Sequence, residues 1–277
     1  MSMEQSKYSI LMSVYKKDNP EWFDFAIRSM LKQTLFPDEF VIVEDGPVTD
    51  EIEAVVQSYC STYPDLFHIV KLKENLGLGE AMRIGVLECR NEWIARMDSD
   101  DYSCPDRIEK ELSAAVTHGA DIVGTDVAEF TGTPDEAHRK AIRAFPEGHE
   151  ELMKFGKRRT PFAHPAVLMK KSRVLSAGNY QTAYLHEDFD LFVRMLRDGC
   201  IGYTVKEILV YVRIGEDFYG RRGGVSYLNA LLKFNWKQLA EGWMGISDFA
   251  IRSASNIAFC LMPNSLRDYL YRRVLRK

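Results

Sequence analysis

Four short apolar runs, each followed by a segment of helical periodicity, set the tightest limit on how this chain folds. The runs are "SILMSVY" (Ser9 to Tyr15), "EFVIVE" (Glu39 to Glu44), "HIVKL" (His68 to Leu72) and "WIARM" (Trp93 to Met97). The first is almost continuously apolar, as a strand covered on both faces would be. Asn19 then offers an N-cap and Pro20 a first helical residue, and Phe23, Ala26, Ile27, Met30 and Leu31 recur at helical spacing. Thr49 to Tyr59 and Leu78 to Leu87 read as further helices. Pro105 opens another that ends near Gly119, after which "DIVGTDVAEF" resumes extended structure. Strands separated by helices of this length require right-handed crossovers, so the first half is α/β with a mainly parallel, Rossmann-like sheet flanked by helices. No repeat or low-complexity segment interrupts it, and "TGTPDEAHRK" (Thr131 to Lys140) reads as a surface loop.

A chain of 277 residues with 46% hydrophobic composition buries one sizeable core plus a smaller appended element. The 36 basic and 40 acidic residues leave a formal charge of −4, so no global field favours nucleic acid as a partner. Five cysteines, odd in number and without a C-x-x-C pair or zinc-ligand spacing, suggest reduced thiols and a cytoplasmic setting. The N-terminus shows no basic-then-apolar leader, and no apolar run approaches membrane-spanning length.

In open α/β sheets, ligands bind beyond the carboxyl ends of the strands. Here those ends carry Ser13 and Tyr15, then Glu44, Asp45 and Gly46, then Asn75 and Gly77, then Asp98, Ser99, Asp100 and Asp101. "RMDSDD" (Arg96 to Asp101) gathers three carboxylates into four positions, which costs energy unless a cation sits among them. Carboxylates at i and i+2 suit Mg²⁺ or Mn²⁺, which accept one or two of them together with substrate phosphates. Asp98 and Asp100 are therefore the expected ligands of a divalent ion awaiting a diphosphate. The plain alternative is that Asp101 or Ser103 caps the helix near Pro105 and the other acids are solvated.

The stretches "SVYKKDNPEWFDFAIRSMLKQTLFPDEFVIVEDGP", "ENLGLGEAMRIGVLECRNEWIARMDSDD", "PFAHPAVLMKKSRVLSAGNY" and "HEDFDLFVRMLRDG" resemble, in order, the motifs of family-2 glycosyltransferases with the GT-A fold. The likeness is greatest to the subgroup that builds bacterial exopolysaccharides of the amylovoran type, and it extends into "YVRIGEDFYGRRGG". It implies a GT-A domain over 1–224, with a nucleotide-binding part at 1–124 and an acceptor-binding part at 125–224. A helical extension follows at 225–277. It implies that Ser13 and Tyr15 flank the donor nucleotide, Tyr15 stacking on the base. Asp45 would accept from a base N–H, and Asn75 and Gly77 would let backbone approach the nucleotide. Arg83 would reach sugar or phosphate, Arg96 would balance the acidic cluster, Asp98 would touch ribose or metal, and Asp100 would bind metal directly. The implied donor is a UDP-sugar and the implied acceptor a lipid-linked saccharide.

"HEDFD" (His186 to Asp190) opens an amphipathic helix with Phe189, Phe192, Val193 and Leu196 on its buried side and Gly199 at its end. A helix N-terminus favours the ionised carboxylate, which suits a general base. The resemblance assigns that role to Asp188, with Glu187 as the alternative, and the reaction as a single inverting displacement. It places His164 near the acceptor, while Arg221 and Arg222 in "RRGG" read either as a loop closing on the pyrophosphate or as a basic surface turn. Beyond Ala250 the basic residues Arg252, Arg267, Arg272, Arg273, Arg276 and Lys277 face one acid, Asp268, with Leu266, Leu270 and Val274 as an apolar stripe. Such a helix either packs on the domain or attaches to the cytoplasmic face of an anionic membrane. A nicotinamide fingerprint fails because Met82 stands where Gly77-x-Gly79 would need a small third residue, and there is no P-loop. A sugar-nucleotide-binding protein without turnover and a pyrophosphorylase-like nucleotidyltransferase remain as alternatives.

Overall fold

The computed structural model describes residues 7–181, 186–215 and 224–262. Arg221, Arg222 and the basic tail beyond Pro263 lie outside the described residues. The parallel layer is formed by β1 (Tyr8–Val14), β2 (Glu39–Glu44), β3 (Phe67–Lys71) and β4 (Trp93–Arg96). They stand in the order β3-β2-β1-β4 and are connected by α1 (Pro20–Leu31), α2 (Asp50–Thr62) and α3 (Leu78–Glu88). Each helix start has a local cause. The Asn19 side chain accepts from the backbone N–H groups of Glu21 and Trp22 at 2.9 and 3.1 Å, and Thr49 caps α2.

The apolar runs are continuous because both faces of the sheet are covered. In β1, Ile10, Met12 and Val14 pack with Phe23, Ile27, Ile52 and Ile108 on one side, while Leu11 turns to Met82, Val86 and Phe192 on the other. This is the two-residue alternation of a strand expressed between two cores rather than between core and water. Gly85 is required where α3 crosses β1, since a Cβ there would lie 2.4 Å from Leu11 Cδ1.

Beyond β4 the sheet becomes mixed. It continues through β5 (Tyr102–Ser103), α4 (Arg107–His118), β6 (Ile122–Phe130), β7 (Arg139–Arg143), α5 (His149–Gly156), β8 (Val167–Lys170), α6 (Lys171–Ser176), α7 (Glu187–Arg197) and β9 (Gly202–Arg213). Strand β8 inserts antiparallel between β4 and β6, so one sheet runs from the β1–β4 layer into the β6–β9 layer. The supposed loop at Thr131 to Lys140 is in part a hairpin: β7 begins at Arg139 and pairs antiparallel with β6. Its charged composition hides the strand because β7 lies at an edge and is only half-buried. Neither Asp101 nor Ser103 caps α4, whose N-cap position is Asp106. Asp101 instead accepts from the Arg213 N–H, and the Ser103 hydroxyl receives the Gln33 amide.

Two further helices, α8 (Val225–Ala240) and α9 (Ile246–Leu261), pair with each other and dock on α7. Asp190, fully buried in the first turn of α7, bonds Arg194 at 2.8 Å and Lys237 of α8 at 2.6 Å. His186 stacks on Phe234, and Arg252 lies over the rings of Phe189 and Phe234. Arg252 is therefore buried under the extension, not part of a basic outer face. Removing one partner of a buried pair leaves the other charged and desolvated. Asp190→Ala is expected to destabilise the protein by roughly 3 kcal/mol, and Lys237→Ala by clearly less, since the Lys237 end is a third exposed. Urea denaturation of both variants checks this, and equal losses would contradict it.

Candidate active site

The carboxyl ends of β1, β2 and β4, with the segment after β3, enclose a cleft of about 400 Å³. Ser13, Tyr15, Asp45, Asn75, Gly77, Asp98 and Asp100 all line it, so seven of the residues expected from the sequence meet at one place. Asp18 and Ser99 join them.

The floor is a joint between two turns. Asp45 accepts the backbone N–H of Leu76 at 2.7 Å and of Gly77 at 3.0 Å, while the Asn75 amide donates to the Asp45 carbonyl. A carboxylate taking two backbone donors fixes the 75–77 segment against β2. Gly46 makes the approach possible: its φ is +83°, and a Cβ there would sit 2.6 Å from the Asn75 nitrogen. Asp45 thus has a positioning duty that the sequence did not announce.

Asp18 was not singled out from the sequence. It accepts from the Tyr15 N–H at 3.1 Å and from the Ser99 hydroxyl at 2.9 Å, linking the end of β1 to that of β4. Burial outweighs these bonds and pushes its carboxyl up to about 6. The sign of its importance was an acid in the first strand-to-helix loop, but the adjacent Asn19-Pro20 helix start explains that stretch equally well.

At the end of β4, oxygens of Asp98, Asp100 and Asp101 lie within 4.8 Å of one another. Burial, then the charges of Asp98 and Asp18, push the Asp100 carboxyl up to about 7. Asp101 is buried and held well above the usual carboxylate range by burial and by Asp100. One of its oxygens receives the Arg213 N–H, which gives it a structural place behind the cleft. Asp98 and Asp100 face the cleft, and this crowding of acids fits a divalent cation between them.

Arg96 is the cation already present. Its guanidinium is 1% exposed and ion-paired to Asp98, and its Nε and Nη1 have no partner among the described residues. Its charge acts on Tyr180, Glu187 and Asp188 as well as on Asp98 and Asp101. The Tyr180 hydroxyl lies 2.8 Å from His164 Nε2, and burial with Arg96 nearby holds His164 in its neutral form. The two halves of the expected site therefore share one buried charge. Asp188 stands at the N-terminus of α7 as expected, with its carboxylate accepting the Phe189 N–H at 2.7 Å. The helix end does not lower its pKa overall: burial dominates and raises it, and the N–H groups and Arg96 only moderate the rise. Glu187 is raised for the same first reason, and it packs against Gly79 of α3. Arg83 stands apart from the cleft lining, its guanidinium held by Glu80 one helical turn away at 2.6 Å.

Residues 9–175 match the model of the family described as Glycosyl transferase family 2. The chain belongs to that family. A UDP-Gal:alpha-D-GlcNAc-diphosphoundecaprenol beta-1,3-galactosyltransferase of Escherichia coli is 34% identical over 278 residues, covering 100% of this chain and 99% of that protein. The amylovoran biosynthesis glycosyltransferase AmsE of Erwinia amylovora is 33% identical, over 96% of this chain and 98% of its own. Among solved structures, the Pyrobaculum calidifontis mannosyltransferase PcManGT in complex with GDP-Man and Mn²⁺ superposes with a TM-score of 0.65. It covers 95% of this chain and 73% of that one at 13% identity, a likeness of fold. The sheet and crossovers are accordingly those of the GT-A fold.

For this family-2 glycosyltransferase the carboxylate cluster carries a measurable cost. The Asp100 carboxyl takes its proton near pH 7 in the folded state and near 3.8 in the unfolded chain. Between those values the native state binds more protons, so stability falls as pH rises through the window. In metal-free protein, Asp100→Asn is expected to raise the melting temperature by a few degrees at pH 8. The gain should shrink as the pH is lowered from 7 towards 4. Differential scanning calorimetry in EDTA reads this directly, and a gain independent of pH would show that ionisation of Asp100 is not the source.

Proposed function

We propose that the protein is a metal-dependent, inverting glycosyltransferase that moves a sugar from a UDP-sugar to a lipid-linked saccharide in bacterial surface polysaccharide assembly. The observation that carries this reading is the single cleft in which Tyr15, Asp45, Asp98 and Asp100 converge, with Asp188 joined to it through the field of Arg96. The full-length likeness to a galactosyltransferase whose name gives UDP-Gal and a diphosphoundecaprenol-linked GlcNAc supports the donor nucleotide and the acceptor class.

The geometry supports the following division of labour. Tyr15, more than a third exposed at the rim, offers its ring to the base, and Asp45, already holding the 75–77 turn, keeps acceptor capacity for a base N–H. Asp98 and Asp100 would hold Mn²⁺ or Mg²⁺, which when bound neutralises charge on the donor diphosphate. Asp188 takes the proton of the acceptor hydroxyl as that oxygen bonds the anomeric carbon and the bond to UDP breaks on the opposite side. A base whose pKa is raised towards the working pH is better matched to this transfer than a fully acidic one. Arg96 keeps Asp188 ionisable despite burial, and Tyr180, which feels the charge of Asp188, is hydrogen-bonded to neutral His164.

The test uses purified protein, Mn²⁺, a panel of UDP-sugars beginning with UDP-galactose, and a synthetic short-chain alkyl diphosphate carrying GlcNAc as acceptor. Acceptor-dependent release of UDP is expected from one donor. Asp188→Asn should lower kcat by about 10² or more while leaving the Kd for UDP within a few-fold of wild type. Turnover retained in Asp188→Asn would remove Asp188 as base, and UDP binding without release from any donor would favour the non-catalytic binding protein. Formation of pyrophosphate instead of UDP would favour the nucleotidyltransferase.

A further inference from the structure

Helix α9, packed on α7 and α8 through Arg252, presents an outer face that a water-exposed helix rarely has. Its sequence, "ISDFAIRSASNIAFCL", holds only two charged residues, Asp248 and Arg252. Arg252 is buried over aromatic rings, and Asp248 is largely covered and bonded to Arg158 at 2.9 Å. What remains outside is Ile246 (77% exposed), Ile251 (50%), Ile257 (41%) and Leu261 (61%), with Ala250, Ala254 and Ala258 and the small hydroxyls of Ser247 and Ser255 among them. Trp236 of α8, 63% exposed, meets Phe249 edge to face beside this row. Uncharged apolar faces of this extent on a soluble chain mark a contact surface.

A concentration of cations borders the same face. A groove of about 650 Å³ runs along the end of α5, lined by the cations Lys154, Lys157, Arg158 and Arg159 and by the acids Glu151 and Asp248. Arg158 pairs with Asp248, whereas Lys154, Lys157 and Arg159 have no ion pair among the described residues. The groove and α9 are fixed to one another, because the Trp243 indole N–H at the α8–α9 turn donates to the Gly156 carbonyl at 3.0 Å and Arg158 holds Asp248. Three cations without an ion pair thus lie beside a helix face that exposes no charge, on a protein whose net charge is negative. In the sequence beyond α9, outside the described residues, Arg267, Arg272, Arg273, Arg276 and Lys277 stand against the single acid Asp268. Apolar side chains flanked by cations match the interface of an anionic bilayer, where acyl chains lie beside negative headgroups.

We infer that the α9 face and the Lys154–Lys157–Arg159 cluster together form a docking surface for an anionic lipid membrane. No candidate catalytic residue belongs to this surface, which leaves the cleft free while the protein is bound. The inference deepens the reading of a lipid-linked acceptor, yet lipid binding is measured without donor or turnover, so the two fail separately.

The full-length protein is centrifuged with vesicles of phosphatidylethanolamine and phosphatidylglycerol, and with vesicles of phosphatidylcholine alone. Wild type is expected to pellet with the anionic vesicles, to be released as NaCl is raised to 1 M, and to stay in the supernatant with the neutral ones. The triple variant Lys154→Glu, Lys157→Glu, Arg159→Glu should bind the anionic vesicles at least tenfold more weakly. Ile251→Asp with Ile257→Asp should do the same through the apolar half. Both variants should keep the wild-type melting temperature and turnover on the short-chain acceptor. Vesicle binding unchanged in both variants would overturn the inference and leave attachment to the tail. Failure of wild type to pellet would overturn it as well. So would sedimentation velocity showing a dimer that Ile257→Asp dissociates, since the face would then belong to a second copy.

Discussion

The burial of the Arg96 guanidinium is the constraint around which the site is arranged. A strand residue at the end of β4 would ordinarily turn to solvent or to an apolar layer, and placing a cation there costs several kcal/mol unless anions compensate it. Asp98 compensates directly, and Asp101, Glu187 and Asp188 do so through the field. The converse also holds. Without Arg96, the acids at the end of β4 and those opening α7 would keep only separate cations, Arg213 acting on Asp100 and Asp101 and Arg143 on Asp188, and none shared between the two groups. The donor side and the acceptor side are therefore electrically one object, although they come from parts of the chain some ninety residues apart.

That dependence explains which parts of the site could be read in advance. Residues at the ends of β1 to β4 were legible because a parallel strand announces itself by a continuous apolar run, and the fold places its carboxyl end at the ligand. Tyr15, Asp45, Asn75, Gly77, Asp98 and Asp100 all follow from that rule and all line the cleft. Arg83 does not follow from it: its place on the α3 surface is decided by Glu80, a local partner that a motif comparison passes over. Asp18 was hidden for the opposite reason, because a neighbouring helix start already explained the stretch. The pKa of Asp188 was misjudged because the helix terminus is visible in sequence and burial is not. Strands β7 and β8 are not legible because such short segments gain strand structure by pairing, β7 with β6 and β8 with both β4 and β6.

The energetics of the cleft run against those of the fold. Asp18, Asp100 and Asp101 all hold protons more tightly than free carboxyls do, so each is a group that the folded chain would prefer neutral. Natural proteins accept such costs at functional sites and offset them elsewhere. The offsetting contacts here are the double-sided core around β1 and β2 and the Asp45 joint, whose backbone bonds hold the rim closed against the repulsion.

Helix α7 connects this strained centre to the rest of the molecule. Its first turn sets Glu187 and Asp188 in the field of Arg96 and Asp190 against Lys237 of α8, three residues sharing one helix end with two different neighbours. Because Asp190 is bonded to Lys237, and Phe189 is packed under Phe234 and Arg252, the position of the acids depends on the seating of α8 and α9. Displacing that pair would shift the start of α7 before it disturbed β1 to β4, since the sheet is held by its own two cores. The extension is thus a buttress, through its inner contacts, for the helix end that carries Glu187 and Asp188.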